Sequence, residues 1–240
     1  MESDRLARVL AQLSAGGVTE PGLARLCEVC RSVTMMSGAV IMLVSDDAPL
    51  GSWCTSGEAS GLMEEAQYTL GEGPCIDAYD LECPAIEPDL ANPETVRWPA
   101  FSPVLLRAGA RAVFGFPLRI GAVRLGALGL YRDTPGPLTD DQHADALVVA
   151  DVATRAVLAL QANASPSELA TEIETGANLR FVVHQACGMV AVQLSVSLTE
   201  ALIRLRAYSF ANDRPIAEIA EDVVARRLHF DPDSEEIYEQ

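Results

Sequence analysis

The chain contains no lysine: all 17 of its positive residues are arginine, set against 34 acidic residues for a net charge of −17. So acidic a protein has no uniformly basic surface, which excludes a broad, sequence-independent grip on nucleic acid. Histidine is scarce too, and His143, His184 and His229 stand apart from any nucleophile motif. A P-loop and an H-E-x-x-H pair are both missing, so neither an enzyme, a metal site nor a cofactor site is expected. The first ten residues carry Glu2, Asp4, Arg5 and Arg8 and lack the basic start and apolar block of a secretory signal. The longest charge-free stretch, 181–199, is interrupted by His184, Gln185, Gln193, Ser195 and Ser197, a poor match to a membrane span. The expectation is a cytoplasmic protein with no membrane partner.

Cysteine is present at positions 27, 30, 54, 75, 83 and 187, at spacings that suggest no disulfide framework. Cys27 and Cys30 form a lone CxxC without a second pair to complete four zinc ligands; they read as buried thiols on a helix face.

An apolar fraction of 49% over 240 residues is enough for packed cores in one large domain or two modest ones. Helical spacing runs through Leu6, Val9, Leu10 and Leu13 and again through Leu23, Leu26, Cys27 and Cys30, with a break at 18–22. The uncharged run 39–44 reads as a central strand and 50–55 as a second. Residues 62–68 are helical, and Gly71-Glu72-Gly73-Pro74-Cys75 turns into a short helix. The proline-rich segment 83–101 reads as a loop packed down by Trp98 and Phe101. Residues 112–118 and 123–131 read as a hairpin turning near Gly121, and 138–161 as a helix. Strands, flanking helices and a closing helix give an α+β fold.

The GEGPC turn at 71–75, the Trp98-Pro99-Ala100-Phe101 element, the Phe116-Pro117-Leu118 strand and the strand 126–131 together resemble GAF domains. The resemblance spans about residues 18–160 and implies a sensor domain over 1–162, with an antiparallel sheet, flanking helices and a pocket for a small-molecule ligand that no residue identifies. A scaffold for dimerisation is the other reading of the same domain. Cys75, after Pro74 at a helix start where the dipole lowers a thiol pKa, is a candidate sensing residue, with packing as the alternative.

Residues 163–175 read as a linker with a helix restart: Ser165 as N-cap, Pro166 at the first position, Glu168 closing a capping box. Beyond it the charge changes. Residues 1–175 hold 24 acidic residues against 11 arginines, residues 176–230 hold 5 against 6, and the stretch from Asp231 adds 5 more carboxylates, read as a solvated acidic tail over 231–240. A locally neutral-to-basic segment inside an acidic chain can bind a phosphate backbone with strong salt sensitivity.

Within 176–230 three amphipathic helices are expected. Leu179, Val182, Val183, Ala186, Met189, Val190 and Leu194 form the core face of the first, leaving Arg180, His184, Cys187 and Gly188 on the other face. Glycine in mid-helix costs about 1 kcal/mol relative to alanine, so Gly188 calls for a reason: close helix packing or close approach of RNA. Ser197-Leu198-Thr199-Glu200 is a capping box opening the second helix, with Leu198, Ala201, Leu202, Leu205 and Tyr208 inward and Arg204 and Arg206 outward. Ile216, Ile219, Ala220, Val223 and Val224 pack the third, which ends in Arg226 and Arg227.

The pattern Arg180, Ala186, Gly188, Ala201, Leu205, Arg206, Arg214, Ala220, Val223, Val224 resembles the ANTAR domain, a three-helix RNA-binding module over 176–230. The resemblance implies a regulator that binds tandem RNA hairpins, two per homodimer, and promotes transcription antitermination. Carried onto this chain, the RNA contacts are Arg180, Gln185, Gly188, Arg206, Tyr208 and Arg214, with His184 and Arg226 added from helix geometry. Many ANTAR domains have lysine where Cys187 stands and a basic run where Asp213, Arg214 and Pro215 stand. Two other readings stay open, a helix-turn-helix-like DNA-binding regulator and a ligand-sensing protein-interaction module.

Overall fold

A computed structural model describes residues 2–14, 22–45, 48–163, 182–212, 214–231 and 238–239. They belong to two compact units, Met1–Ser165 and Pro166–Gln240.

In the first unit, side chains alternate along each strand and both faces of the central sheet are covered, which is why residues 39–44 and 112–118 read as unbroken apolar runs. β1 (Gly38–Ser45), β2 (Ala48–Ser56), β3 (Ala85–Glu87), β4 (Ala112–Ile120) and β5 (Val123–Arg132) form one antiparallel sheet in the order β2-β1-β5-β4-β3. Ala39, Ile41, Phe114, Phe116, Leu128 and Leu130 point to one face, under α1 (Glu2–Ser14), α2 (Gly22–Thr34) and α6 (Asp140–Asn163). Val40, Met42, Val113 and Ala127 point to the other, under α3 (Ser60–Leu70), α4 (Pro74–Leu81) and α5 (Phe101–Arg107). β3 corrects the reading of 83–101 as a continuous loop; three residues at a sheet edge are too short to leave a period. On the outer side, Arg5 and Arg8 both donate to the buried Asp145 carboxylate at 2.6 Å, tying α1 to α6.

The expectation of free thiols on the α2 face fails for Cys27, which is disulfide-bonded to Cys54. Packing of α2 on β2 brings the two together across 27 residues, a juxtaposition no local spacing encodes. Cys30 is the buried free thiol of the motif, and burial pushes its pKa up.

The 71–75 turn is built by backbone needs. Gly71 ends α3 at φ 66° and returns its N–H to the Gln67 carbonyl. Gly73 sits at φ 130°, and a Cβ there would lie 2.5 Å from Gln67 Cγ. Pro74 opens α4. The turn sits directly on the sheet because the cross-strand partners Gly115 and Gly129 carry no side chains: added Cβ atoms would meet Pro74 O at 2.0 Å and Cys75 Sγ at 2.6 Å. Glu72 reaches out, its Oε2 accepting the N–H groups of Ala100 at 3.0 Å and Phe101 at 3.2 Å at the start of α5. Replacing Glu72 by alanine is expected to destabilise this unit by about 1 kcal/mol, as loss of an N-cap does, while glutamine keeps most of it; urea unfolding of the two variants measures the difference.

In the second unit, α7 (Val182–Leu194) and α8 (Leu198–Ala211) meet at 104°, and α9 (Ile216–Val224) follows. Val183, Ala186, Val190, Ala201, Leu205, Ile216, Ile219, Ala220 and Val223 are buried. Ser197 caps α8 as expected, its Oγ accepting the Glu200 N–H at 3.2 Å, while the Glu200 carboxylate pairs with Arg204 at 3.0 Å. Leu198, expected inward, is exposed, since the first helical residue precedes the buried stripe. Cys187, expected on the outward face of α7, is buried. The acidic end is more than a solvated tail: β7 (Tyr238–Glu239) pairs antiparallel with β6 (Leu228–His229). The helix restart at 165–168 and Arg180 lie outside the described residues, among which no single helix is long and apolar enough to cross a membrane.

Candidate functional site

On α7, His184 and Gln185 are exposed and Gly188 is half-buried one turn on, so the three share one side of the helix. A Cβ added at Gly188 would meet nothing within 4 Å. Close packing within its unit therefore does not account for this glycine. Cys187, on the next position, is held inward, and burial raises its pKa to about 11, an effect that the positive charge of Arg206 partly offsets. Arg206 on α8 thus stands beside the α7 segment that carries Gly188.

Tyr208 is placed elsewhere. Two residues on from Arg206, it points roughly 200° round the helix and packs edge-on to Phe230 with ring centroids 5.8 Å apart, the packing alternative to stacking on a base. Arg214 is engaged by acids, with Asp222 at 2.7 Å and Glu218 at 3.5 Å. Asp222 also binds Arg227 at 2.7 Å, and hydrogen bonds from Arg214 first, then Arg227, hold its carboxyl below the usual range. Sequence reading did not anticipate this triad; an acid eight residues after Arg214 on a helix face was the available signal. Arg226 is exposed at φ 59°, where its N–H bonds Val223 O and that of Arg227 bonds Asp222 O, the helix-ending arrangement in which glycine is the usual residue.

Two consequences are measurable. Asp222→Asn releases charge on Arg214 and Arg227, so retention on a polyanionic heparin matrix is expected to shift to higher salt, read as the elution concentration. The depressed Asp222 pKa contributes stability that is present above the ordinary carboxylate range and lost as pH falls through its folded value; acid unfolding followed by far-ultraviolet circular dichroism should show a smaller loss in the Asp222→Asn variant.

In the first unit, Cys75 contradicts the expectation of a lowered pKa. It is fully buried between α4 and the sheet, and burial pushes it up to about 12, with Gln67 drawing it partly back. The α4 dipole acts on a thiol without water around it, and desolvation wins. Val40, Met42, Met63, Ala78 and Ala127 pack around this thiol. A cleft of about 160 Å³ opens beside the 87–106 segment, lined by Glu87 and Trp98 among others.

The fold has parallels among solved structures. The GAF domain of a phosphoenolpyruvate-protein phosphotransferase from Coxiella burnetii is similar at 16% identity and TM-score 0.51, covering 67% of this chain and 95% of that one. The GAF domain of an Acinetobacter phosphoenolpyruvate-protein phosphotransferase is similar at 11% identity and TM-score 0.51, covering 68% and 96%. No family profile and no curated protein matches the chain. The first unit has a GAF-like fold, a five-stranded antiparallel sheet with flanking helices.

Proposed function

We propose that this chain is a cytoplasmic, signal-responsive regulator in which a GAF-like sensor controls an ANTAR-like helical unit that binds tandem RNA hairpins as a homodimer and promotes transcription antitermination. It is a binding protein rather than an enzyme. The observation that carries the reading is Gly188: a helix-breaking residue retained in mid-helix where a side chain has open space around it. An RNA backbone approaching between His184 and Arg206 supplies the reason that packing does not. Arg226 adds to it, because a long cation holds a backbone conformation that glycine adopts more readily. Tyr208 and Arg214 are weaker contacts in this reading, one committed to Phe230 and the other to carboxylates.

The DNA-binding alternative would use α9 as its recognition helix, and Glu218 and Glu221 are exposed along it, which repels a phosphate backbone. The interaction-module alternative has one observation in its favour: Val192, Leu198, Ile203 and Phe210 are exposed in the same unit.

The test is a salt-titrated binding assay with a two-hairpin RNA, a single hairpin and a matched duplex DNA. Preference for the two-hairpin RNA is expected, with Arg206→Ala binding roughly tenfold more weakly and the salt slope reduced by about 1. Equal binding to all three nucleic acids, or none, overturns the reading.

A further inference from the structure

Glu87 is a buried carboxylate that nothing in its surroundings neutralises. It is 8% exposed, and its side chain accepts one hydrogen bond, from the Asp89 N–H at 3.2 Å. Among the described residues it has no arginine or histidine within ion-pairing distance. An ionised carboxylate has about four acceptor positions, and leaving such a group buried without a cation is costly. The nearest explanation would be Arg97, but that guanidinium is committed: it donates to Ile86 O at 2.6 Å, stands 3.8 Å from Asp77 and lies over the Trp98 ring at 4.6 Å.

Glu87 shares its strand face with Ala85, whose methyl is in the core with Trp98 and Leu105, because residues two apart on a strand point the same way. That is the side on which the 160 Å³ cleft opens, and Glu87 lines it. Leu90, Trp98 and Leu106 give the cleft apolar walls, and Thr95 and Ser102 bring hydroxyls to it. Arg97 lines the cleft as well, its guanidinium held by Ile86 O, Asp77 and the Trp98 ring. No cluster of three or more metal-ligating residues occurs among the described residues, so the one carboxylate of the cleft, Glu87, calls for an organic cation rather than a metal. We infer that this cleft binds a small primary ammonium compound with a short apolar chain, its three N–H donors meeting the Glu87 carboxylate and its chain lying against Trp98 and Leu106. The site lies at the sheet edge, away from the filled face around Cys75. It is independent of the RNA reading, since it concerns the first unit alone.

The experiment uses the full chain labelled with nitrogen-15 and follows the Trp98 indole N–H, identified by comparison with Trp53→Phe. The probe is n-propylammonium, with n-propanol and butyrate as neutral and anionic counterparts. A saturable shift is expected with propylammonium, with a Kd of order 1 mM for so small a ligand, and binding at least tenfold weaker for both counterparts. Glu87→Gln, which keeps the shape and one acceptor, is expected to weaken propylammonium binding at least tenfold while the indole signal keeps its native position. Should that variant fail to fold, Ser102→Val, which narrows the cleft from its other side, is expected to weaken it as well. No saturable shift, an equal response to propanol, or undiminished binding in Glu87→Gln overturns the inference.

Discussion

In the proposed RNA complex, Gly188→Glu is expected to weaken binding of a two-hairpin RNA roughly a hundredfold, about 2.7 kcal/mol, since placing like charges in contact costs several kcal/mol. The protein itself is expected to lose nothing, because the space around this position is empty. Gly188→Ala sharpens the test. Alanine at an open helical site raises stability by about 0.5–1 kcal/mol, yet the added methyl stands where the proposed complex brings the RNA backbone, so thermal stability and affinity are expected to move in opposite directions. A glycine kept only for packing would show the reverse of the first effect, and one kept for nothing would leave affinity unchanged. Melting curves and filter binding on the same preparations decide between these outcomes.

Opening the Cys27–Cys54 disulfide is expected to destabilise the first unit by about 3–4 kcal/mol, the chain-entropy value for a loop of this length. The bond fastens α2 to the edge strand β2, whose pairing with β1 is irregular at two places and which is also held by hydrogen bonds of Ser52 to Glu64 and of Ser56 to Glu28. Urea unfolding with and without dithiothreitol measures the effect, and the Cys27→Ala/Cys54→Ala variant must be insensitive to reductant. A parent protein equally insensitive would mean that the two sulfurs are not joined in solution.

Much of the GAF-like fold was legible because its central strands are apolar on both faces and its turns carry glycine and proline. Residues 39–44, 112–118 and 123–131 are strands in the structure, and the Ser197 cap forms where a capping box was read. Two of the misses share a cause. Cys27 meeting Cys54 and Cys75 losing its water are consequences of which surfaces pack together, and spacing along a single helix or turn does not record them; Arg214 finding Asp222 eight residues on did leave a spacing. The dipole argument at Cys75 was sound about direction but took no account of desolvation, the larger effect in a closed core. Gly188 went the other way: close helix packing and close approach of RNA were both open, and the space around it removes packing within its own unit. The cleft at Glu87 left only a faint trace, a proline-rich stretch with a tryptophan, because three-residue β3 is too short to announce which way its middle and ends face.

Glu72 joins two loops that look like separate signatures in the sequence. Its carboxylate, carried by the 71–75 turn, supplies the acceptor for both leading amides of α5, whose own N-terminal residues offer no side-chain cap. The two segments are therefore one transplantable cassette. A chimera that imports either loop alone from another protein would set a foreign turn against orphaned amides, whereas moving residues 71–75 and 97–107 together carries the lock with its key.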